Sequence, residues 1–166
     1  LRQAGYRTGL FGKWHLGRYP GYQPHQRGFD EFLGFCSGNI GYYEHLYGGE
    51  HDLFRGTEPF RADAYSTDLF ADAAIDFMRR HSGRPWFVYL PFNAAHFVSA
   101  GNVPPGVKPI WPAPAAAFAL SESASTRVRC RRSILRFRSF WNFARSPFRR
   151  DITASSPPTT DRRHFE

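Results

Sequence analysis

The stretch STDLFADAAIDFMRRHSGRPWFVYL, residues 66–90, predicts a helix followed by a strand. Ser66 or Thr67 can cap the helix, and apolar residues then recur at helical spacing. Three basic residues suit the last turn, where the helix dipole favours cations, and Gly83 and Pro85 end the helix. The run WFVYL at 86–90 is continuously apolar, which is typical of a strand covered on both faces in a parallel sheet.

A second strand is predicted near the start of the chain. Residues 1–4 followed by Gly5 have the pattern of a last helical turn with its terminal glycine, and residues 6–11 have that of a short strand. Residues 18–64 are rich in Gly, Tyr and Phe without a sustained period, and we interpret them as a lid or wall beside a site. The order strand, helix, strand indicates an α/β fold, a parallel sheet with flanking helices.

Charged side chains follow both predicted strands. The sequence GKWHLG at 12–17 places Lys13 and His15 after the first strand, and PFNAAH at 91–96 places His96 after the second. Ligands of open α/β sheets bind at the carboxyl ends of the strands, so these three side chains could converge on one anion. Taken alone, GKWHLG is more typical of a solvated turn, and it is not a P-loop because Trp14 stands where Ser or Thr is needed.

The other histidines and the cysteines suggest no further site. Lone histidines are more often surface residues than ligands, so we expect a surface position for His25, His45, His51 and His81. Cys36 and Cys130 form no CxxC pair and no disulfide framework. No apolar run approaches the roughly 18 residues that span a bilayer, and without an initiator methionine we expect a partial chain.

Four ordered blocks of sequence resemble the type I, formylglycine-dependent sulfatase (arylsulfatase) family. The segment GYRTGLFGKWHLG at 5–17 fits the family signature GYxTxxxGKWHLG at every fixed position. It is followed by RGFDEF at 27–32 with GF at 34–35, by YSTD at 65–68 with ADAAIDF at 71–77, and by WFVYLPFNAAHF at 86–97. The resemblance implies an alkaline-phosphatase-like fold and hydrolysis of sulfate esters with calcium and a formylglycine made from Cys or Ser.

The same resemblance implies roles for single residues. Lys13 corresponds to the lysine that contacts the sulfate and leaving-group oxygens. His15 corresponds to the base that takes a proton from the formylglycine hydrate, and His96 to the histidine that contacts sulfate and helps to protonate the leaving alcohol. The candidate catalytic residues are therefore Lys13, His15 and His96, of which Lys13 and His96 bind substrate. Trp14 is expected to point away into the core.

The chain also departs from the family pattern. The nucleophile motif CxPSR or CxASR is absent, so Cys36 and Cys130 are interpreted as buried or incidental thiols. The Asp-Asp and Asp-Asn or Asp-His metal pairs are absent too, and hard cations need several such oxygens. Ala95 stands where the family usually has proline. We therefore assign no metal ligand to this chain and expect calcium and formylglycine in a full-length parent.

The resemblance ends near residue 98, where the composition changes. Residues 1–100 contain ten basic and ten acidic residues, so the net charge of +8 arises entirely from residues after 100. We interpret residues 1–98 as the central segment of a sulfatase catalytic domain, and 99–166 as a Pro/Ala-rich, then Arg/Ser/Phe-rich tail. That tail could bind nucleic acid or an anionic membrane, could be a disordered extension, or could result from a frameshift near residue 98, which we favour.

The leading hypothesis is a sulfatase fragment whose parent hydrolyses small-molecule or carbohydrate sulfate esters, and which is inactive alone. The rivals are a phosphatase or phosphonate-monoester hydrolase of the same superfamily, and a non-catalytic basic protein that binds anions or nucleic acid. Under the leading hypothesis no nucleic-acid partner is expected. The resemblance implies an exported parent, whether periplasmic, secreted or lysosomal, and the oligomeric state stays open.

Overall fold

In the computed structural model, which describes residues 1–19 and 21–107, a mixed five-stranded sheet organises the chain. Its strands are β1 (Arg7–Lys13), β2 (Glu31–Phe35), β5 (Phe54–Arg55), β6 (Glu58–Pro59) and β7 (Trp86–Tyr89), in the spatial order β6-β5-β2-β1-β7. β3 (Leu46–Tyr47) and β4 (Glu50–His51) form a separate hairpin, and α1 (Ser66–Arg80) connects β6 to β7. The predicted α/β fold is confirmed.

β1 lies between two parallel neighbours. Leu10 pairs with Phe32 of β2 on one side and with Tyr89 of β7 on the other. β1 extends two residues further than the predicted strand, to Lys13. β2 falls inside the segment 18–64, where no strand was predicted, and antiparallel β5 and β6 extend the sheet beyond it. The parallel centre brings the carboxyl ends of β1, β2 and β7 to one edge.

Helix α1 covers one face of this sheet. Phe77 packs on Phe11 with ring centroids 5.5 Å apart, and Phe70 stacks on Phe35 at 6.0 Å. The helix agrees with the predicted one at both ends, but the predicted cap is wrong: Tyr65 is the N-cap residue, and the Ser66 side chain is fully buried in the first turn. The apolar face of α1 thus determines which face of the sheet the helix covers.

The opposite face of the sheet carries a cluster that we call the Trp14 cluster: Leu10, Trp14, Phe32 and Cys36. Phe29 packs at its border, 6.4 Å from the ring of Tyr89. Tyr89 and Phe87 remain 46% and 39% exposed, because they lie on the face of β7 opposite α1, whereas Trp86 and Val88 pack toward the helix. The prediction that residues 86–90 are covered on both faces is therefore wrong for the part of the chain described.

Other sequence-based expectations had mixed outcomes. A 3₁₀ turn, Arg2–Ala4, ends at Gly5 with φ 80°, close to the predicted helical end. His25 is exposed, and His51 and His81 are half-buried. The surface position expected for His45 is wrong, because its ring is only 1% exposed. A backbone φ of 54° turns this side chain inward, and its carbonyl accepts from the Asp52 N–H at 2.9 Å.

The first residues of the predicted tail pack against the domain. Val103 of the tail is buried with Tyr42, Tyr65 and Val98 of the preceding segment, and Asn102 of the tail is 2% exposed. The tail from residue 108 onward, including its expected disorder, lies outside the described residues. Within the described ranges no helix has the length and apolar character needed to cross a membrane.

Candidate active site

Three loops start together at the carboxyl edge of the sheet. Lys13 is the last residue of β1, opposite Phe35, the last residue of β2. The Lys13 backbone N–H donates to the carbonyl of Pro91, just beyond β7, at 2.9 Å. The N–H of Trp14 donates to the carbonyl of Phe35 at 2.8 Å. The loops after β1, β2 and β7 are thereby joined by main-chain hydrogen bonds at their first residues.

Lys13 and His15 both stand in the loop after β1. The Lys13 side chain is half-buried, and within residues 1–19 and 21–107 it forms neither a hydrogen bond nor an ion pair. His15 is exposed and has a left-handed backbone, with φ 61°. Such a conformation is uncommon for a non-glycine residue, and it often marks a functional position.

Trp14 separates the two candidates and points elsewhere, as predicted. It is 9% exposed in the Trp14 cluster, and its Nε1–H donates to the Tyr22 carbonyl at 2.7 Å. Its indole meets the ring of Phe29 edge-on, with centroids 6.1 Å apart. This burial anchors the middle of GKWHLG to the core, so the residues on either side of it remain at the sheet edge.

His96 is held by the segment that follows β2. Its Nδ1 lies 2.8 Å from the Phe97 carbonyl oxygen, and the Asn39 amide nitrogen lies 3.2 Å from Nδ1 and 3.3 Å from the same carbonyl. A nitrogen lone pair would repel a carbonyl oxygen at 2.8 Å, so we assign the proton to Nδ1, as the donor to the Phe97 carbonyl.

The two histidines meet neighbouring residues of one turn. His15 Nε2 would lie 3.2 Å from a Cβ added at Gly38, and Asn39 contacts His96. The Tyr42 hydroxyl donates to the carbonyl of His96 at 2.8 Å, which fixes the loop after β7 against this segment. The structure therefore brings His15 and His96 to the two residues Gly38 and Asn39. Lys13 lies at the same edge, because it pairs with Phe35, the last residue of β2.

A buried carboxylate that the sequence did not reveal supports this turn. Asp52 is fully buried, and its carboxylate accepts the backbone N–H groups of Cys36 and Ser37 at 3.3 and 2.9 Å. Arg18 Nε lies 3.7 Å from the same carboxylate. No sequence pattern marks either residue, because the partners of Asp52 lie 15 and 16 positions earlier in the chain.

Comparison with known proteins identifies the family of this chain. A protein-family model described as Sulfatase matches residues 1–142, which is most of the chain. This chain belongs to the sulfatase family. The match continues past residue 98, where the resemblance recognised in the sequence ends.

Individual relatives agree with this assignment. Rat (Rattus norvegicus) N-acetylgalactosamine-6-sulfatase is 32% identical over 110 residues, covering 58% of this sulfatase chain and 21% of the relative. Mouse (Mus musculus) arylsulfatase J is 31% identical over 106 residues, covering 58% and 18%. The crystal structure of PsFucS1 sulfatase from Pseudoalteromonas sp. superposes with a TM-score of 0.60 at 19% identity, covering 86% of this chain and 32% of that one. The chain thus spans about a fifth of the curated relatives, and the fold is that of sulfatases.

The described residues of this sulfatase do not fit a calcium ion or a formylglycine nucleophile. Among them no group of three or more His, Cys, Asp or Glu side chains could hold a metal ion. Cys36 is a buried thiol, as expected, and burial, with a smaller effect from the charge of Asp52, raises its pKa to about 12. A thiol of this kind stays protonated and unreactive near neutral pH.

An open cavity of about 850 Å³ lies at the other edge of the sheet. Residues at the amino ends of the strands line it, among them Arg7, Asp30 and Phe87. Asp30 accepts the Thr8 N–H at 2.9 Å and lies 3.0 Å from Arg2, so the carboxylate and its arginines already pair with each other. This cavity is separated from Lys13 and His15 by the length of β1.

Proposed function

We propose that this sulfatase chain supplies the sulfate-binding and proton-transfer residues of an active site that hydrolyses sulfate esters. The observation that carries the proposal is the meeting of His15 and His96 at Gly38 and Asn39, beside the end of β1 where Lys13 stands. A cation and two imidazoles at one sheet edge suit a tetrahedral anion with several oxygen atoms. Family membership supports the same chemistry.

Lys13 is proposed to bind the sulfate and then the departing oxygen. An ammonium group is a compact charge with three rotatable donors, so it can follow negative charge from one oxygen to another as the ester bond breaks. The half-buried position favours this role, because a partly desolvated cation attracts an anion more strongly than a fully solvated one. Its strand position also fixes where the side chain starts, since β1 pairs with a strand on each side.

The two histidines are proposed to carry opposite proton transfers. His96, with Nδ1–H donated to the Phe97 carbonyl, would bind a sulfate oxygen through Nε2 when protonated and give that proton to the leaving alcohol. His15 would accept a proton as sulfate is released, a role that suits a neutral imidazole near pH 7. The shared turn at Gly38 and Asn39 would hold the two rings where both can reach one bound substrate.

The nucleophile and the metal ligands are proposed to come from sequence outside these 166 residues. The family resemblance implies calcium and a formylglycine, but the described residues offer no metal-ligand group, and Cys36 does not lie in the motif CxPSR or CxASR. The chain also spans only about a fifth of its curated relatives. We therefore propose that the 166-residue chain does not hydrolyse sulfate esters alone.

Carbohydrate sulfate esters are the proposed substrate class. The support is the similarity to relatives named N-acetylgalactosamine-6-sulfatase, at 30–32% identity in human and rat. We also propose that the full-length parent protein is exported.

Sulfate binding by the purified chain tests the proposal. We expect sulfate to shift the ring signals of His15 and His96 in NMR spectra with a Kd of roughly 1 mM, an ordinary affinity for one small anion. Lys13→Ala should weaken that binding about tenfold, whereas Arg84→Ala, which removes an exposed cation elsewhere, should not. Equal binding by Lys13→Ala and the unmodified chain would overturn the proposal. Much tighter binding of phosphate than of sulfate would favour the phosphatase rival.

A further inference from the structure

We propose that Asp52 and Arg18 are positioning residues for His15 and His96. The buried Asp52 carboxylate holds the turn at Cys36 and Ser37, and the half-exposed Arg18 lies against that carboxylate. The turn leads directly to Gly38 and Asn39, which His15 and His96 approach. The inference rests on the proposed function only in treating the carboxyl edge as the anion site, because the geometry of the turn is independent of any ligand.

The Asp52 carboxylate is costly to bury unless its oxygens are paired. It is fully buried and accepts two backbone N–H groups, from Cys36 and Ser37, at 3.3 and 2.9 Å. A carboxylate that accepts several N–H groups makes charge-assisted bonds, which are stronger than bonds between neutral groups. Because both donors lie directly after β2, the carboxylate sets the direction in which the chain leaves that strand.

Arg18 connects this turn to the histidine loop. It follows GKWHLG directly, and its guanidinium contacts three groups on one side: Glu50 at 3.0 Å, the His51 carbonyl at 3.2 Å and Asp52 at 3.7 Å. The loop that carries His15 is therefore anchored at both ends, by β1 before it and by Arg18 after it. An exposed ring in a left-handed backbone gains its position from such anchors, since it has few contacts of its own.

Asp52 acts on His96 through Asn39. The turn at Cys36 and Ser37 determines where the next residues lie, and the Asn39 amide donates to the same Phe97 carbonyl that accepts from His96. If the turn moves, this shared carbonyl loses one donor and the ring loses its neighbour at 3.2 Å. One carboxylate thus influences both histidines, although it touches neither.

Asp52→Asn, compared with Asp30→Asn, tests this inference in the full 166-residue chain. Asp30 is a matched control: its side chain is 8% exposed, it accepts the Thr8 N–H at 2.9 Å and it pairs with arginine, but at the amino edge. We expect both variants to melt at a lower temperature. Only Asp52→Asn should shift the NMR ring signals of His15 and His96 and weaken sulfate binding, about tenfold.

Unchanged ring signals in a folded Asp52→Asn variant, or equal changes in both variants, would overturn the inference. If Asp52→Asn does not fold, Arg18→Gln decides, because Arg18 is half-exposed and Asp52 keeps its two backbone N–H partners when the guanidinium is removed. Arg18→Gln should move the ring signals of His15 and His96, and Arg18→Lys should restore them in part. Ring signals that stay in place in Arg18→Gln would contradict the inference.

The proposed function and this inference can fail separately. If sulfate does not bind the unmodified chain, the proposed function fails, but the ring signals of His15 and His96 still report whether Asp52 positions them. If sulfate binds but neither Asp52→Asn nor Arg18→Gln moves the ring signals of His15 and His96, the proposed function stands and the positioning role is wrong.

Discussion

Gly12 lies so close to Pro91 that a Cβ on Gly12 would overlap the carbonyl oxygen of Pro91. The next residue, Lys13, donates its backbone N–H to that same carbonyl at 2.9 Å. Gly12 also has φ 131°, a value that side chains other than glycine rarely tolerate. This contact brings the start of the loop that carries His96 beside the residue that carries the candidate cation.

Gly12→Ala should therefore destabilise the fold and disturb the site. The added methyl group meets a backbone atom that cannot turn away, so we expect a loss of about 2 kcal/mol or more in the free energy of unfolding. Urea denaturation measures this loss. Gly56→Ala is the control, since Gly56 also has a positive φ but nothing lies within 4 Å of an added Cβ; it should cost about 1 kcal/mol. Equal losses for both variants would contradict the close approach as the cause.

The hydrogen bond from His96 to the Phe97 carbonyl predicts one tautomer. In the neutral ring the proton should reside on Nδ1, because Nδ1 lies 2.8 Å from that oxygen. The two ring nitrogens of the tautomers have different ¹⁵N shifts, which long-range proton–nitrogen NMR resolves. Asn39→Ala should leave the tautomer unchanged, since the backbone carbonyl remains. A neutral His96 with its proton on Nε2 would refute this assignment.

The parts of the fold that could be predicted depend on local patterns. α1 shows apolar residues at helical spacing, and β7 is a continuous apolar run, so both were found near their true bounds. β2 was missed because its five residues include Gly34, which weakens the strand pattern. A Cβ on Gly34 would overlap the Gly12 carbonyl oxygen, so the glycine serves the pairing of β2 with β1, a contact distant in sequence.

The site residues also fall into a group that the sequence could predict and a group that it could not. Lys13, His15 and His96 could be proposed because a family signature contains them and because strand order places them at one edge. Asp52, Arg18 and their turn could not, since nothing in the spacing of HDLF shows that a carboxylate will meet backbone groups 15 and 16 residues earlier. Burial of His45 was missed because the expectation rested on the usual surface position of lone histidines, and the sequence does not show that its backbone is left-handed.

His45 should make the protein lose stability in mild acid. Burial, with a smaller effect from the nearby charge of His51, lowers the pKa of His45 from 6.5 to about 4. The unfolded chain therefore binds one more proton between these values, so the free energy of unfolding falls as pH decreases from about 6.5 to 4, by up to roughly 1.4 kcal/mol per pH unit. Well above pH 6.5 the histidine is neutral in both states and contributes no slope.

Urea denaturation between pH 4.5 and 7.5 measures this slope. His45→Asn should reduce it, because asparagine tolerates the left-handed backbone at this position but does not titrate. His25→Asn, at an exposed histidine, should leave the slope unchanged. The explanation fails if His45→Asn loses stability with the same pH dependence as the unmodified chain.

Cys36 should be inert toward thiol reagents in the folded protein. With a pKa of about 12, it is ionised to only about one part in ten thousand at pH 8, and it is 6% exposed. In a Cys130→Ser variant, where Cys36 is the single thiol, a chromogenic disulfide reagent should react only at the rate of unfolding. Addition of denaturant should release the full colour at once. Rapid reaction of the native variant would show that the thiol is accessible.

Calcium should neither stabilise the 166-residue chain nor make it hydrolyse a sulfate ester. A metal that binds the folded state raises its melting temperature by mass action, and the described residues offer no group of three acidic, histidine or cysteine ligands. We expect equal melting temperatures in calcium and in chelator, and no release of nitrophenol from nitrophenyl sulfate in either. A sulfatase that is active on this substrate serves as the positive control. Calcium-dependent release of nitrophenol by the purified chain would mean that residues 1–166 contain a nucleophile and a metal site, contrary to the proposal that both come from outside them.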